Sequence, residues 1–282
     1  MQKTFVTFAS ANMHSARDTL AQQARRSRVF DTVMALGETD LSSDFFARVG
    51  DKLTAENRGY GFWCWKPHAL QLAMSQMNDG DFLIYADAGC RFSRRNLERL
   101  QFYFERAAAS TTGILGFSFF DDDQPERPFG ILEERKWTKA DTFAHFGLSD
   151  DRGAWTKPQI SATVIVLQKR SSSVAFVDQW MQAIYDDFSI IDDTPSKLAN
   201  DPDFIDHRHD QSIYSLLCYL HQPAYLSWLE IEADPRKRNS IRRTFGGGPI
   251  QARRRRFSHK QCLEQKIRSL LPGNWAQGAR GR

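Results

Sequence analysis

Residues 81–90 read Asp81-Phe-Leu-Ile-Tyr-Ala-Asp-Ala-Gly-Cys90, "DFLIYADAGC": an apolar run, then one carboxylate set among small residues and a glycine. A short apolar run bounded by turn residues is the pattern of a buried strand, which places a strand over "FLIYA" (82–86) and Asp87 at its carboxyl end. In an open α/β sheet the ligand crevice lies beyond the carboxyl ends of the strands, so Asp87 is a candidate site residue. A carboxylate there can hold a divalent cation or a ribose hydroxyl, and Ala88 and Gly89 leave room for a diphosphate to approach the backbone. The competing reading is an Asp that caps the following turn.

Outward from this strand, "TFVTFAS" (4–10), "FDTVMAL" (30–36), "GILGFSFF" (113–120), "SATVIVLQ" (161–168) and "AYLSWL" (224–229) read as further strands. Helix-like segments separate them at 67–78, 94–109, 171–187 and 210–221. The alternation predicts an α/β fold, a mostly parallel, doubly wound sheet with helices on both faces.

The 282 residues, 41% hydrophobic and 26% charged, suffice for one large α/β domain or two small ones. Four cysteines (Cys64, Cys90, Cys218, Cys262) show no CxxC pair and no regular spacing, which argues against a zinc knuckle or a disulfide framework and for a reducing, cytoplasmic setting. Neither a leader nor a membrane span is expected. Residues 231–282 carry 14 Lys/Arg against three acids, or +11, so the total of +4 leaves −7 on residues 1–230. This predicts an acidic body, a basic tail and a boundary near Asp234-Pro235.

Two further segments carry chemistry. "RGYGFWCWKPHAL" (58–70) places Lys66 beside a Pro suited to the first turn of a helix, where ammonium and free backbone N–H groups favour phosphate. Tyr60, Trp63 and Trp65 could stack on a base or sugar, or pack under the sheet as an aromatic loop. In "DFIDHRHDQSIYSLLCYL" (203–220), Asp210 stands at the expected N-cap of an amphipathic helix, with Gln211 after it and His207 and His209 before it as metal ligands or proton carriers. Plain capping with exposed histidines is the alternative.

Taken in order, "TFVTFAS", "RGYGFWCWKP", "LIYADAGC" and "HRHDQSIYSLL" resemble segments of bacterial nucleotide-diphospho-sugar transferases of the GT-A glycosyltransferase fold, over about residues 1–230. The resemblance implies a GT-A-like (Rossmann-like) domain at 1–234, followed by a tail at 235–282. It also implies donor binding at Asp87, with Lys66, Trp65, Tyr60, Arg91 and Gln211 around the donor, and Asp210 as the acid near the reacting sugar. The family's D-x-D motif binds a divalent cation, Mn or Mg. Here Gly89 stands where the second Asp would be, leaving Asp87 with His207 or His209 to complete a cation site, or Lys66 and Arg91 to meet the diphosphate.

"GILGFSFFDDDQPERPFG" (113–130) ends in acids and a loop that could line the acceptor side or lie solvated. "KWTKADTFAHFGLSDD" (136–151) brings Trp137 and His145 as packing or cleft residues. In the tail, Leu263, Ile267, Leu270 and Leu271 share a helical face beneath "RRRR" (253–256), the pattern of a surface helix on anionic lipid. The expected function is transfer of a sugar from a nucleotide-diphosphate-sugar donor to a glycan or lipid-linked acceptor, in surface polysaccharide or glycoconjugate synthesis, at the inner face of a membrane. The alternatives are a non-catalytic nucleotide- or nucleic-acid-binding protein using the tail and, weakened by the lack of a Gly-rich phosphate loop, a nucleotidyltransferase.

Overall fold

The computed structural model describes residues 1–93, 96–121, 124–128, 132–232 and 248–252. Its strands are β1 (Lys3–Phe8), β2 (Thr32–Leu36), β3 (Phe82–Ala86), β4 (Cys90–Phe92), β5 (Ile114–Ser118), β6 (Phe120–Asp121), β7 (Gln124–Pro128), β8 (Ile160–Gln168), β9 (Ala224–Ser227) and β10 (Ile250–Ala252).

Six of them form one sheet in the order β2-β1-β3-β8-β5-β9. Pairings β1/β2, β1/β3 and β5/β9 are parallel, whereas β8 runs antiparallel to both β3 and β5. The sheet is therefore mostly parallel, with one reversed strand at its centre. β3 is buried at all five positions because both faces are covered. Leu83 and Tyr85 face the helices Trp65–Ser75, Ser171–Asp186 and Asp210–His221, while Phe82, Ile84 and Ala86 face the helices His14–Ser27 and Arg99–Ala109. The period of two along the strand sends alternate side chains to the two cores.

This topology sets the site. The helix Trp65–Ser75 runs into β3, and the helix Asp210–His221 into β9, each helix antiparallel to the parallel strand it feeds. Both helix N-termini consequently lie at the carboxyl edge of those strands, the edge where β3 ends at Asp87. The reversed β8 brings its beginning to that edge, and the Thr163 carbonyl accepts the Asp87 N–H at 2.9 Å.

Two sequence expectations need correction. The domain does not close at residue 234: β10 pairs with β4, Ile250 is fully buried in the core, and Gly248 passes so close to Glu230 that a Cβ would sit 1.9 Å from its carbonyl oxygen. The charge break misleads because it ignores this apolar return beside the glycines. The stretch after β5, expected as a loop, contains the β6/β7 hairpin. Leu263, Ile267, Leu270 and Leu271, where a helix was expected, lie outside the described residues. Among the described residues no helix is long and apolar enough to cross a membrane.

Candidate functional site

The chain reaches the site through two unusual backbones. Gly59, Tyr60, Gly61, Phe62 and Trp63 have φ of 60, 57, 87, 57 and 59°, and the Phe62 N–H donates to the Arg58 carbonyl at 2.6 Å, so the segment makes a left-handed helical turn. Each non-glycine residue in that conformation costs about 1–2 kcal/mol. Both glycines are required: a Cβ on Gly59 would lie 2.2 Å from the Trp63 ring, and one on Gly61 2.9 Å from Leu53. Burial of Phe62 and packing of Tyr60 and Trp63 on the core offset the strain. His209, with φ 51° and ψ −122°, is the second strained position, and its ring packs 5.1 Å from Phe62 and 5.6 Å from Trp63. Lys66 follows the first strained segment and Asp210 the second.

There the two meet. Lys66 Nζ lies 2.5 Å from Asp210 Oδ2 and 3.2 Å from Asp87 Oδ1, and donates to the Ala162 carbonyl at 3.1 Å. The Tyr85 hydroxyl, two residues back on the same strand face, donates to Asp87 Oδ1 at 2.7 Å. Lys66 is 2% exposed and Asp210 5%, whereas the Asp87 side chain is 31% exposed. Among the described residues Asp87 Oδ2 meets no donor. The contact of Lys66 with Asp210 Oδ2 has the distance of an ion pair without hydrogen-bond alignment, so this oxygen can still take a proton or a donor.

Burial raises the Asp210 carboxyl from 3.8 to about 6, Lys66 opposing and Asp87 adding to the rise. Burial also works against the Lys66 ammonium, but the Asp210 and Asp87 carboxylates outweigh it and its pKa stands above the ordinary value. The triad thus holds one ammonium between two carboxylates.

Several expected roles change on this geometry. Lys66 lies buried against Asp87, Asp210 and the Ala162 carbonyl, the position of an internal counter-ion to the two carboxylates. Trp65 is a core residue, stacked on Phe8 at 4.0 Å with its indole N–H on the Gly59 carbonyl at 2.9 Å. Tyr60 is half-buried against the same core. Asp210 is the first helical residue, with His209 in the N-cap position.

The residues do not fit a divalent cation. His207 spends both nitrogens, Nε2 at 2.9 Å from the Ile190 carbonyl and Nδ1 accepting the Lys139 N–H at 3.4 Å, while His209 turns Nδ1 to the Ile191 carbonyl at 2.7 Å and Nε2 toward the Asp193 carboxylate at 3.6 Å. Burial holds the pKa of both imidazoles low. Among the described residues no three His, Cys, Asp or Glu side chains converge as a metal group, and the Lys66 ammonium fills the space between Asp87 and Asp210. Arg91 lies on β4, and its buried Nε has no hydrogen-bond partner among the described residues. Gln211 donates through Nε2 to Gln159 Oε1 at 2.7 Å.

No family model matches the chain, and no curated protein sequence matches it. Among solved structures the chain is similar to mouse xyloside xylosyltransferase 1 in its apo form, with 11% identity, a TM-score of 0.46, and coverage of 90% of this chain and 97% of that one. A glycosyltransferase involved in glycosylation of the PBCV-1 major capsid is similar at 8% identity and a TM-score of 0.46, covering 96% and 100%. The galactosyltransferase LgtC, in complex with donor and acceptor sugar analogs, is similar at 12% identity and a TM-score of 0.42, covering 88% and 86%. These likenesses concern the course of the backbone; the chemistry below rests on this chain's own residues.

Proposed function

We propose that the protein is a glycosyltransferase that moves a sugar from a nucleotide-diphosphate donor to an acceptor hydroxyl. The observation that carries this reading is the buried Asp210 carboxyl, raised to about 6 and paired off-axis with Lys66 beside a half-open Asp87 at the ligand-binding edge of the sheet. A carboxyl tuned near 6 is largely ionised at neutral pH and basic enough to take a proton from an attacking hydroxyl. Asp87 offers Oδ2 to a ribose or sugar hydroxyl, a charge-assisted contact. Arg91 offers its open guanidinium N–H to the departing diphosphate. Lys66 holds both carboxylates in place and limits their mutual repulsion.

The acceptor we propose is a glycan or lipid-linked glycan, with the basic tail bringing the enzyme to an anionic membrane surface. The non-catalytic nucleic-acid reading rests on that same tail, which lies outside the described residues.

A thermal-shift screen of nucleoside diphosphates and nucleotide sugars, followed by a transfer assay on the stabilising donor, tests the proposal. Stabilisation by one nucleotide class, with sugar transfer or slow donor hydrolysis lost in Asp210→Asn, is the expected result. Absence of stabilisation by every nucleotide sugar, with salt-sensitive retention on RNA or DNA, would replace the proposal with the binding reading.

A further inference from the structure

Behind Gln211 runs a chain of hydrogen bonds whose far end decides what Gln211 offers to the cleft. Gln211 Nε2 donates to Gln159 Oε1 at 2.7 Å, and Gln159 Nε2 donates to Glu134 Oε1 at 3.2 Å. A primary amide has one donor end and one acceptor end of nearly equal shape, so two amides in series could run in either direction. Glu134 removes the ambiguity. It is wholly buried, its Oε1 also accepts from Thr138 Oγ1 at 2.5 Å, and its Oε2 accepts from Ser215 Oγ, which in turn accepts from the Ile160 N–H at 2.9 Å. Three donors, from Thr138, Ser215 and Gln159, converge on Glu134; burial raises its carboxyl, and the Lys157 charge and these donors oppose that rise. Gln159 must then turn its NH2 to Glu134 and its carbonyl to Gln211. The Gln211 NH2 is committed inward, and among the described residues its Oε1 meets no donor.

We propose that Glu134 is a positioning residue: through Gln159 it fixes the Gln211 amide so that the carbonyl oxygen, and not the NH2, faces the cleft next to Asp210. An acceptor oxygen pairs with a ligand hydroxyl and repels a phosphate oxygen or a carboxylate. Gln211 therefore belongs to the sugar side of the site and not to the diphosphate side. This last step rests on the transferase reading; the direction of the amide chain does not.

The two can be tested apart. Gln211→Glu replaces the NH2 with an oxygen facing Gln159 Oε1, and Gln159 cannot turn while Glu134 holds its NH2. Glu134→Gln supplies an amide that can donate to Gln159 Oε1 and free Gln159 to turn. A double-mutant cycle on the urea midpoint should show that Glu134→Gln, destabilising alone, restores stability to Gln211→Glu. Losses that simply add would overturn the proposal. Should Gln211→Glu fail to fold, the Gln211 side-chain NH2 resonances decide: they are expected to move in Glu134→Gln, and unchanged positions would overturn it. For the sugar-side assignment, Glu134→Gln should weaken binding of the donor nucleotide sugar about tenfold, the scale of one lost hydrogen bond, and leave the matching nucleoside diphosphate within about twofold. Equal losses for both would move Gln211 to the phosphate side and overturn that assignment. If the cycle couples while wild type binds no nucleotide sugar, the amide direction stands and the transferase reading falls.

Discussion

Two of the lysine–carboxylate groupings among the described residues are built to opposite ends. Around Glu134, neutral donors from Thr138, Ser215 and Gln159 saturate the carboxylate, and the half-buried Lys157 sends its Nζ to the Ser215 carbonyl at 2.7 Å. Around Asp210, one ammonium serves two carboxylates, alignment is incomplete, and Asp87 keeps an oxygen open. Burial pulls the Lys157 amine down to about 8, whereas Lys66 is held above its ordinary value by its two carboxylates. Saturated polar groups fix a scaffold; unspent ones at a ligand edge are available for chemistry.

The largest effect that would break this contrast comes from Lys66→Met. It leaves Asp87 and Asp210 facing each other with no counter-ion, and breaking a buried pair from one side costs about 3–5 kcal/mol. Chemical denaturation at neutral pH should show that loss, reduced at acid pH where Asp210 takes a proton. Lys157→Met should cost well below that, since its Nζ donates to a neutral carbonyl and its removal also relieves the burial of a charge. Equal losses at the two positions would erase the distinction.

The next effect is the pH dependence of stability. Because the folded Asp210 carboxyl is raised from 3.8 to about 6, the folded state binds more protons in that interval, and stability should fall as pH rises from about 4 through 6. The span, on the order of 3 kcal/mol or less, should be missing from the Asp210→Asn profile and so appear in the difference between wild type and Asp210→Asn. A difference that is flat across this interval would remove the buried, perturbed carboxyl. A smaller, about tenfold, loss of donor affinity is expected for Asp87→Asn, a single charge-assisted contact, measured by nucleotide-sugar titration.

Much of the fold was legible because period and turn chemistry are local. β3 occupies residues 82–86 as read, β8 begins one residue before the reading, and the helix at 210–221 has the expected limits. The reversal of β8 was not legible, since a buried apolar run looks the same in either direction. The site was legible in part. Asp87, Lys66 and Asp210 do converge, but the left-handed turn built on the glycines of "RGYGFW" was not foreseen, and Trp65 went to the core. Glu134 was missed. Its partners come from 138, 159 and 215, and only the i, i+4 spacing to Thr138 was visible in "EERKWT".

The central claim is that Asp210 is held as a base by Lys66 and burial, and the pH–rate profile of sugar transfer tests it most directly. Wild type should show an acid limb with an apparent pKa near 6, belonging to the coupled triad. Asp210→Asn, confirmed folded by its denaturation midpoint, should lose about 10²–10⁴ in rate, the usual worth of a general base, and lose that limb with it. An Asp210→Asn enzyme that keeps the wild-type rate and the wild-type acid limb would contradict the account.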